Sequence, residues 1–553
     1  MKTLAFGVAA LVLVGCGDDA ANAPELVTNT RIVYGDGLHN ENTEMIVLDD
    51  RILLTFRGGE SAQIGSDRAH LNIYASFDGG ETFEKRTEVD ANNLPDGRDI
   101  RDPKLISFKG RLFLYAISRL PGGHYRDLGG KAWTVRSEST DGGDTWSDPV
   151  RTYDAADIWG FWRLTPRRFS EGGQARETLY ATAYDDGDTT VALFASDDGV
   201  DWKLRGTIID SYDDVPSEAE LQFFGPNQET AVSIVRLDNQ EILQDGESAI
   251  CTSQAPFTDW ECGRRIPQRI DGPTWLVHAL DGVDRHFVFA RKHLPCTRKR
   301  TAIYELRGDL ADPRSPIEVC ELAEVPSSGD TAYTALAPLG GDRFLLSWYT
   351  SAVDRDVPWL EGQFTPSDIW LADVDLSAAP DGCVHPAPKA ACEPPALPTD
   401  GAPSDVSGRF MFALAPVIWP EQALLFEATV AYADGVVDLS LQPLDAATLE
   451  PAGAPWVDEG VAVGTDGRFT ASFGSHDVAA TVFPLLEDPF LSAHEMAFEG
   501  VIRSADLFCG NVTGYAQILA VNPADRITLD GSTFGATRAV ESGPLPDPVL
   551  GCD

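Results

Sequence analysis

Four arginines stand at matching places in this sequence, each at the end of a short apolar segment. Six such segments end in Arg57, Arg119, Tyr184, Arg236, Arg291 and Tyr349. The segment before each begins with polar residues: "HNEN" (39–42), "DIRDP" (99–103), "DIWGFW" (157–162), "PSEAE" (216–220), "DGPTW" (271–275) and "SGDTAY" (328–333). Ordinary strand ends are polar, but not so repeatedly Arg. If each pair of segments is an antiparallel hairpin, the start of the first and the end of the second share one edge. The arginines and several carboxylates then face one mouth. A guanidinium fork matches a carboxylate in bidentate geometry. Such a cluster can clamp an acidic ligand, or it can lock neighbouring elements through its own ion pairs.

The elements that would position these groups repeat. "SFDGGETF" (76–83) and "STDGGDTW" (139–146) share the form S-x-D-x-G-x-x-aromatic. "SDDGVDW" (196–202) is one residue shorter, and "SQAPFTDW" (253–260) keeps the Ser and the Trp. A spacing of about sixty residues is the mark of a propeller or solenoid. Each interval carries a three-strand phrase, for example "KLISFKG", "RLFLYAISR" and "WTVRSES" in the second unit. Alternating β-branched and aromatic residues broken by Gly, Asp and Asn turns predict antiparallel strands. Six units of this kind predict a six-bladed β-propeller. "ELVTNTRIVYG", near the start, can supply the outer strand that the sixth unit lacks and so close the ring.

The chain has 553 residues, more than one ordinary core uses, so a second domain is expected. At 43% hydrophobic and 9% aromatic it is globular, and a formal charge of −43 excludes nucleic acid as a partner. Lys2 precedes an apolar run, Leu4 to Val14, too short to span a bilayer and readable as the core of a signal segment. It ends in "LVGC", which resembles the lipobox of bacterial lipoproteins. That likeness implies lipidation of Cys16 and a place in the bacterial cell envelope, with the membrane touched only through the lipid. Of nine cysteines, eight remain, and pairing by proximity gives Cys251–Cys262, Cys296–Cys320, Cys383–Cys392 and Cys509–Cys552 as disulfides of an exported chain. No CxxC spacing occurs and the histidines are scattered, so neither a metal nor another cofactor is expected.

These readings divide the chain into a signal segment (1–16), a tether (17–29), the propeller (30–379), a Pro/Ala-rich linker (380–405) and a smaller all-β sandwich or barrel (406–553). No catalytic constellation stands out in the last part. The chain is expected to be a monomer.

The Ser/Asp/Gly turns match the Asp-box of the sialidase-like propellers. "HNENTEMIVLDDRILLTFRGG", "DIRDPKL", "SEAELQFF…SIVR", "DGPTW", "FARKH" and "SSGDTAYTAL…LSWYTS" together resemble bacterial sialidase-like proteins, over roughly residues 30–375. The resemblance implies that the Asp-boxes are structural and lie away from the substrate. It also implies an arginine clamp for a sugar carboxylate and a tyrosine nucleophile, an exception to the usual carboxylate pair. A neutral phenol is not repelled by an anionic substrate, and a neighbouring Glu takes its proton. Carried over, Tyr333 is the nucleophile, Glu218 its base, and Arg236 and Arg291 clamp members, with Arg300 competing for the last place. The family opens its first blade with an Arg-Ile-Pro motif, which is "NENTEM" here. Arg57, one strand later, is the position that could replace it. The acid/base is Asp102 on the inner rim, with Asp67 as the alternative. Arg101, His39 and Asp330 complete the set of binding residues. Two function classes follow: a glycoside hydrolase acting on a terminal acidic sugar of glycans, or a non-catalytic propeller that binds acidic glycans or a protein partner.

Overall fold

A computed structural model describes residues 25–552 apart from 63–68, 95–98, 120–131, 154–158, 186–188, 239–245, 388–391, 484–490 and 519–525. Asp67 and Cys16 therefore lie outside the described residues. Six four-stranded antiparallel sheets follow one another from His39 to Asp375. The innermost strands are His39–Val47, Asp99–Phe108, Trp159–Glu171, Pro216–Phe224, Asp271–Leu280 and Ser328–Gly340, in blades 1 to 6. Each touches the next, and the last touches the first, so the sheets close into a ring. Val27–Tyr34 pairs antiparallel with Asp368–Asp375 and forms the outer strand of blade 6. The expected six-bladed propeller and its closure by the N-terminal strand are both present. One short helix, Trp359–Phe364, interrupts blade 6.

The turns "SFDGGETF" and "STDGGDTW" join the third and fourth strands, at the edge opposite the strand starts. In the first, Asp78 accepts from Ser76 Oγ at 2.7 Å, Thr82 N at 3.0 Å and Thr82 Oγ1 at 2.6 Å. These bonds, the Thr82 pair foremost, hold the Asp78 carboxyl down at about 2. Asp141 repeats the pattern with Ser139 and Thr145. Gly80 and Gly143 sit at φ of +95° and +93°, and a Cβ there would overlap Leu345 and Leu53 of the preceding blade. The glycine thus serves both the left-handed turn and its close packing against the neighbour. The hairpin that marks the repeat in sequence also fastens blade to blade.

From Gly408 to Arg538, eight strands form one antiparallel sheet, with a three-residue strand at its side. Its end strands, Trp456–Ala462 and Arg468–Val478, lie against each other without a backbone ladder, which leaves the barrel nearly closed. A single apolar cluster that includes Phe412, Phe426, Trp456, Phe498 and Phe534 fills it. Among the described residues, no helix is long and apolar enough to cross a membrane.

The disulfides correct two of the four expected pairings. Cys251–Cys262 and Cys509–Cys552 form as expected, but Cys296 joins Cys392 and Cys320 joins Cys383. The cause is the path of the chain after blade 6. It runs back along the outer strand of blade 5, where Glu321 N donates to Val384 O at 2.8 Å, and this sets Cys383 beside Cys320. Nearness in sequence is a poor guide where an extended segment returns across a finished sheet. Digestion without reduction should yield the linked Cys296/Cys392 and Cys320/Cys383 peptides by mass spectrometry. Cys296/Cys320 and Cys383/Cys392 peptides would contradict this arrangement.

Candidate functional site

The backbone aims the mouth residues through a repeated irregularity. Each inner strand has a bulge near its start that shifts its register with its neighbour: after Glu41, Arg101, Phe161, Pro216 and Asp271, and after both Ser328 and Ala332 in blade 6, which is irregular again after Pro338. A bulge adds one residue to one strand and re-aims its side chain. Asn42, Asp102, Gly272, Ala332 and Tyr333 take positive φ at these points, +57°, +54°, +56°, +93° and +47°. Non-glycine residues rarely adopt such angles, and they cluster where surrounding structure forces them. Across from the bulges the ladders set Glu41 beside Arg57, Asp99 beside Arg119, Asp271 beside Arg291 and Ala332 beside Tyr349. The recurring arginines and the recurring carboxylates are thus hairpin partners.

Tyr333, Glu218 and Arg236 come together although they stand on blades 6 and 4. Tyr333 Oη donates to Glu218 Oε1 at 2.5 Å, and Arg236 Nη1 donates to the same oxygen at 2.7 Å and to Tyr333 Oη at 3.3 Å. Gly272 N donates to Glu218 Oε2 at 2.5 Å. The Tyr333 ring packs edge-on to Trp162, at 5.6 Å between centroids, and carries Arg291 Cζ 4.9 Å over its face. A Cβ at Gly272 would stand 2.8 Å from that ring, so glycine is needed beneath it. Burial, and after it the Glu218 carboxylate, hold the Tyr333 phenol well above its usual range. The hydroxyl is therefore neutral and becomes a nucleophile only if Glu218 takes its proton.

Two further arginines surround this group. Arg291 Nη2 donates to Asp330 Oδ1 at 2.7 Å and to Tyr349 Oη at 3.0 Å. Arg269 donates to Asp271 at 2.7 Å and pairs with Asp238 at 3.0 Å. Arg236 binds both of the same acids, at 2.7 Å to Asp238 and 3.2 Å to Asp271. Although burial opposes it, Arg236 and Arg269 keep the Asp271 carboxyl well below its usual range. Asp271 in turn accepts from His293 Nε2 at 2.9 Å, with Lys299 Nζ 2.6 Å from the other ring nitrogen. Asp102 stands on blade 2, where Asn42 Nδ2 donates to it at 2.5 Å and Arg101 Nε lies 3.6 Å away. Deeper in the channel, Glu44, Arg163 and Glu220 form a buried ion-paired floor, at 3.1 and 2.6 Å, with Lys104 over the Trp162 ring.

Not every expected ligand-facing group lies open. Arg57 is fully enclosed. It holds Asp99 with two N–H groups at 3.1 and 2.8 Å, and Glu41 Oε1 at 2.8 Å. In this structure it braces blades 1 and 2, and to serve as a substitute clamp member it would have to leave both acids. Arg101, also on Glu41 Oε1 at 2.9 Å, and Arg236 keep 12% of their side chains exposed. Arg300 turns to Asp356 at 2.8 Å, beside a groove lined by Glu324, Ser328 and Arg355, so Arg291 and not Arg300 faces the tyrosine. His39 is buried against Asp330 at 3.3 Å. Sequence reasoning passed over Arg269, Asn42, Arg163 and Trp359, whose Nε1 donates to Asp330 Oδ1 at 2.9 Å. Trp162 stands in a quoted strand start, yet only the propeller's curvature brings it under Tyr333. Removing one partner of a buried ion pair costs about 3–5 kcal/mol, because the other charge is left uncompensated. Arg57→Gln should lower unfolding free energy by about that amount, measured by denaturant titration. A loss under about 1 kcal/mol would fit an exposed arginine.

The chain matches no protein-family model and no curated protein. Solved structures similar to it include the intramolecular trans-sialidase from Ruminococcus gnavus, at 11% identity over 65% of this chain and 99% of that one, TM-score 0.44. The sialidase of Trypanosoma rangeli is similar at 11% identity over 93% of this chain and 90% of that one, TM-score 0.42. An α-L-arabinanase from Penicillium chrysogenum is similar at 14% identity over 64% and 99%, TM-score 0.43. At such identities and TM-scores the likeness says nothing of what this chain acts on.

Proposed function

We propose that this protein is a glycoside hydrolase of sialidase-like type, cleaving a terminal acidic sugar from a glycan through Tyr333. The observation that carries the reading is the contact of Tyr333 Oη with Glu218 Oε1, shared by Arg236. As the phenol oxygen bonds to the anomeric carbon, its proton passes to Glu218. The bond to the leaving oxygen breaks, and that oxygen takes a proton from Asp102. Water then displaces tyrosine from the sugar, and Asp102 and Glu218 return to their first states. Arg236, Arg291 and Arg101 would receive the sugar carboxylate, which must compete with the acids already on these guanidiniums. Asp330 orients Arg291. The four disulfides fit an oxidising, extracytoplasmic location. Lipid attachment at Cys16 belongs to the same reading.

A second reading, non-catalytic binding of an acidic glycan or a protein partner, is favoured by one observation. Arg57, Arg101, Arg236, Arg269 and Arg291 all pair with carboxylates of the chain itself, so their presence is explained without turnover.

A panel of sialosides and uronides separates the two, since only the first reading needs turnover. Tyr333→Phe keeps the ring packing and removes the attacking oxygen. Turnover should fall at least about a hundredfold while substrate binding changes little. A parent that turns over and a Tyr333→Phe variant that keeps most of its rate would reject the tyrosine. Arg291→Lys replaces a fork by a point charge and should weaken binding by about 1–3 kcal/mol, read as a raised KM. For the anchor, Cys16→Ser should move the protein from the membrane to the soluble fraction, and equal membrane recovery would reject lipidation.

A further inference from the structure

An imidazole and two carboxylates meet where blade 6 adjoins blade 1, and each is held so that one atom points inward. His39 is fully buried, and its Nδ1 lies 2.8 Å from Thr365 O. A carbonyl oxygen only accepts, so the Nδ1 proton is spent there and Nε2 faces the other way. Nε2 stands 3.3 Å from Asp330 Oδ2 and 3.8 Å from Glu41 Oε2, and no hydrogen bond of good geometry reaches it. The ligand atoms of the three residues lie within 4.8 Å of one another. The remaining oxygens are already committed. Glu41 Oε1 accepts from Arg57 Nη1 at 2.8 Å and Arg101 Nη2 at 2.9 Å. Asp330 Oδ1 accepts from Arg291 Nη2 at 2.7 Å and Trp359 Nε1 at 2.9 Å. The two buried carboxylates repel one another, burial and then the Asp330 charge pushing the Glu41 carboxyl up, and a positive charge among the three atoms removes that repulsion.

We propose that His39 Nε2, Glu41 Oε2 and Asp330 Oδ2 bind a divalent transition cation of the zinc or manganese class. Ligands about 2.0–2.1 Å from a tetrahedral zinc stand about 3.3–3.4 Å apart, which the His39–Asp330 distance of 3.3 Å already meets and which Glu41, 3.8 Å from His39, would reach by closing inward. The surroundings also suit a metal. A ligating histidine characteristically gives its other N–H to a backbone carbonyl, and ligating carboxylates are themselves hydrogen-bonded, as both are here. The imidazole favours a divalent transition cation, zinc above all, over calcium or magnesium, which prefer oxygen alone. Three protein ligands leave a fourth position for a water. Among the described residues, the other group of this kind, Glu318, Cys383 and His385, has its sulfur in a disulfide and keeps only two donors. His39 and Glu41 share one face of a strand at a spacing of two, while Asp330 comes from the far end of the propeller, so no short motif announces the site.

The full-length protein, produced in medium supplemented with Zn²⁺ or Mn²⁺ and then dialysed, should retain one cation per chain by elemental mass spectrometry. His39→Gln and Asp330→Asn should each lose it, with unchanged far-ultraviolet circular dichroism. A buried substitution can disturb folding, so a second measurement uses the unaltered chain. Co²⁺ should give a visible absorption band at one equivalent, and Zn²⁺ should displace it. Less than about 0.1 cation per chain after supplementation would overturn the proposal. So would full retention in both variants, or nitrogen spectra of labelled histidine showing protons on both His39 ring atoms in the cation-treated protein. None of these readouts depends on turnover, so a failed cation site leaves the tyrosine mechanism standing, and the converse also holds.

Discussion

An alternation of acids and arginines around the mouth holds the inner ends of the blades. It runs from Glu218 through Arg236, Asp271 and Arg291 to Asp330, and from Glu41 through Arg57 to Asp99, each within 4.0 Å of the next, with His39 seated between Asp330 and Glu41. These residues belong to blades 4, 5, 6, 1 and 2 in order, so the run crosses the ring's closure between blades 6 and 1. Most members are buried, and a buried charge persists only when paired. The hairpin ladder supplies the regularity: an acid at a strand start and an arginine at the end of its neighbour. Every functional statement about the mouth depends on this run, because it fixes Glu218 under Tyr333 and sets which guanidinium edges face outward.

The run explains what sequence could and could not disclose. Strand alternation and the Ser/Asp/Gly turns are local signals, and they gave the blades, the turn geometry and the pairing of strand starts with strand ends. Closure by Val27–Tyr34 was legible because the last unit lacked a strand and the first residues had the right alternation. Arg57 was not legible as a brace, since its second acid, Asp99, comes from the next blade. The bulges were also hidden. Asn42, Asp102 and Tyr333 take positive φ without being glycine, and nothing in their identity marks it. The crossed disulfides followed from the return of residues after 380 along blade 5, a tertiary path that composition does not specify.

Tyr333 concentrates the energetic cost of the site. Its own backbone and that of Ala332 sit in disfavoured regions, at about 1–3 kcal/mol each, and its hydroxyl lies against the Glu218 carboxylate. Trp162, Gly272 and Arg291 hold the ring on three sides, while Glu218 takes up the hydroxyl hydrogen. Such a position is hard to explain by packing alone, since a phenylalanine would fill the same space without a buried proton to place. The hydroxyl meets one carboxylate, Glu218, and one guanidinium, Arg236, while Arg291 lies over the ring face.

The central claim is that this phenol oxygen becomes bonded to the sugar, and trapping that bond tests it most directly. An acidic glycosyl fluoride with a second fluorine beside the anomeric carbon slows release of a covalent intermediate. After brief incubation and digestion, the account predicts one sugar added to the peptide containing Tyr333, located on the tyrosine by fragmentation. A sugar found on Glu218, Asp102 or Asp330 instead, or turnover of an acidic glycoside with no adduct on Tyr333, would contradict it.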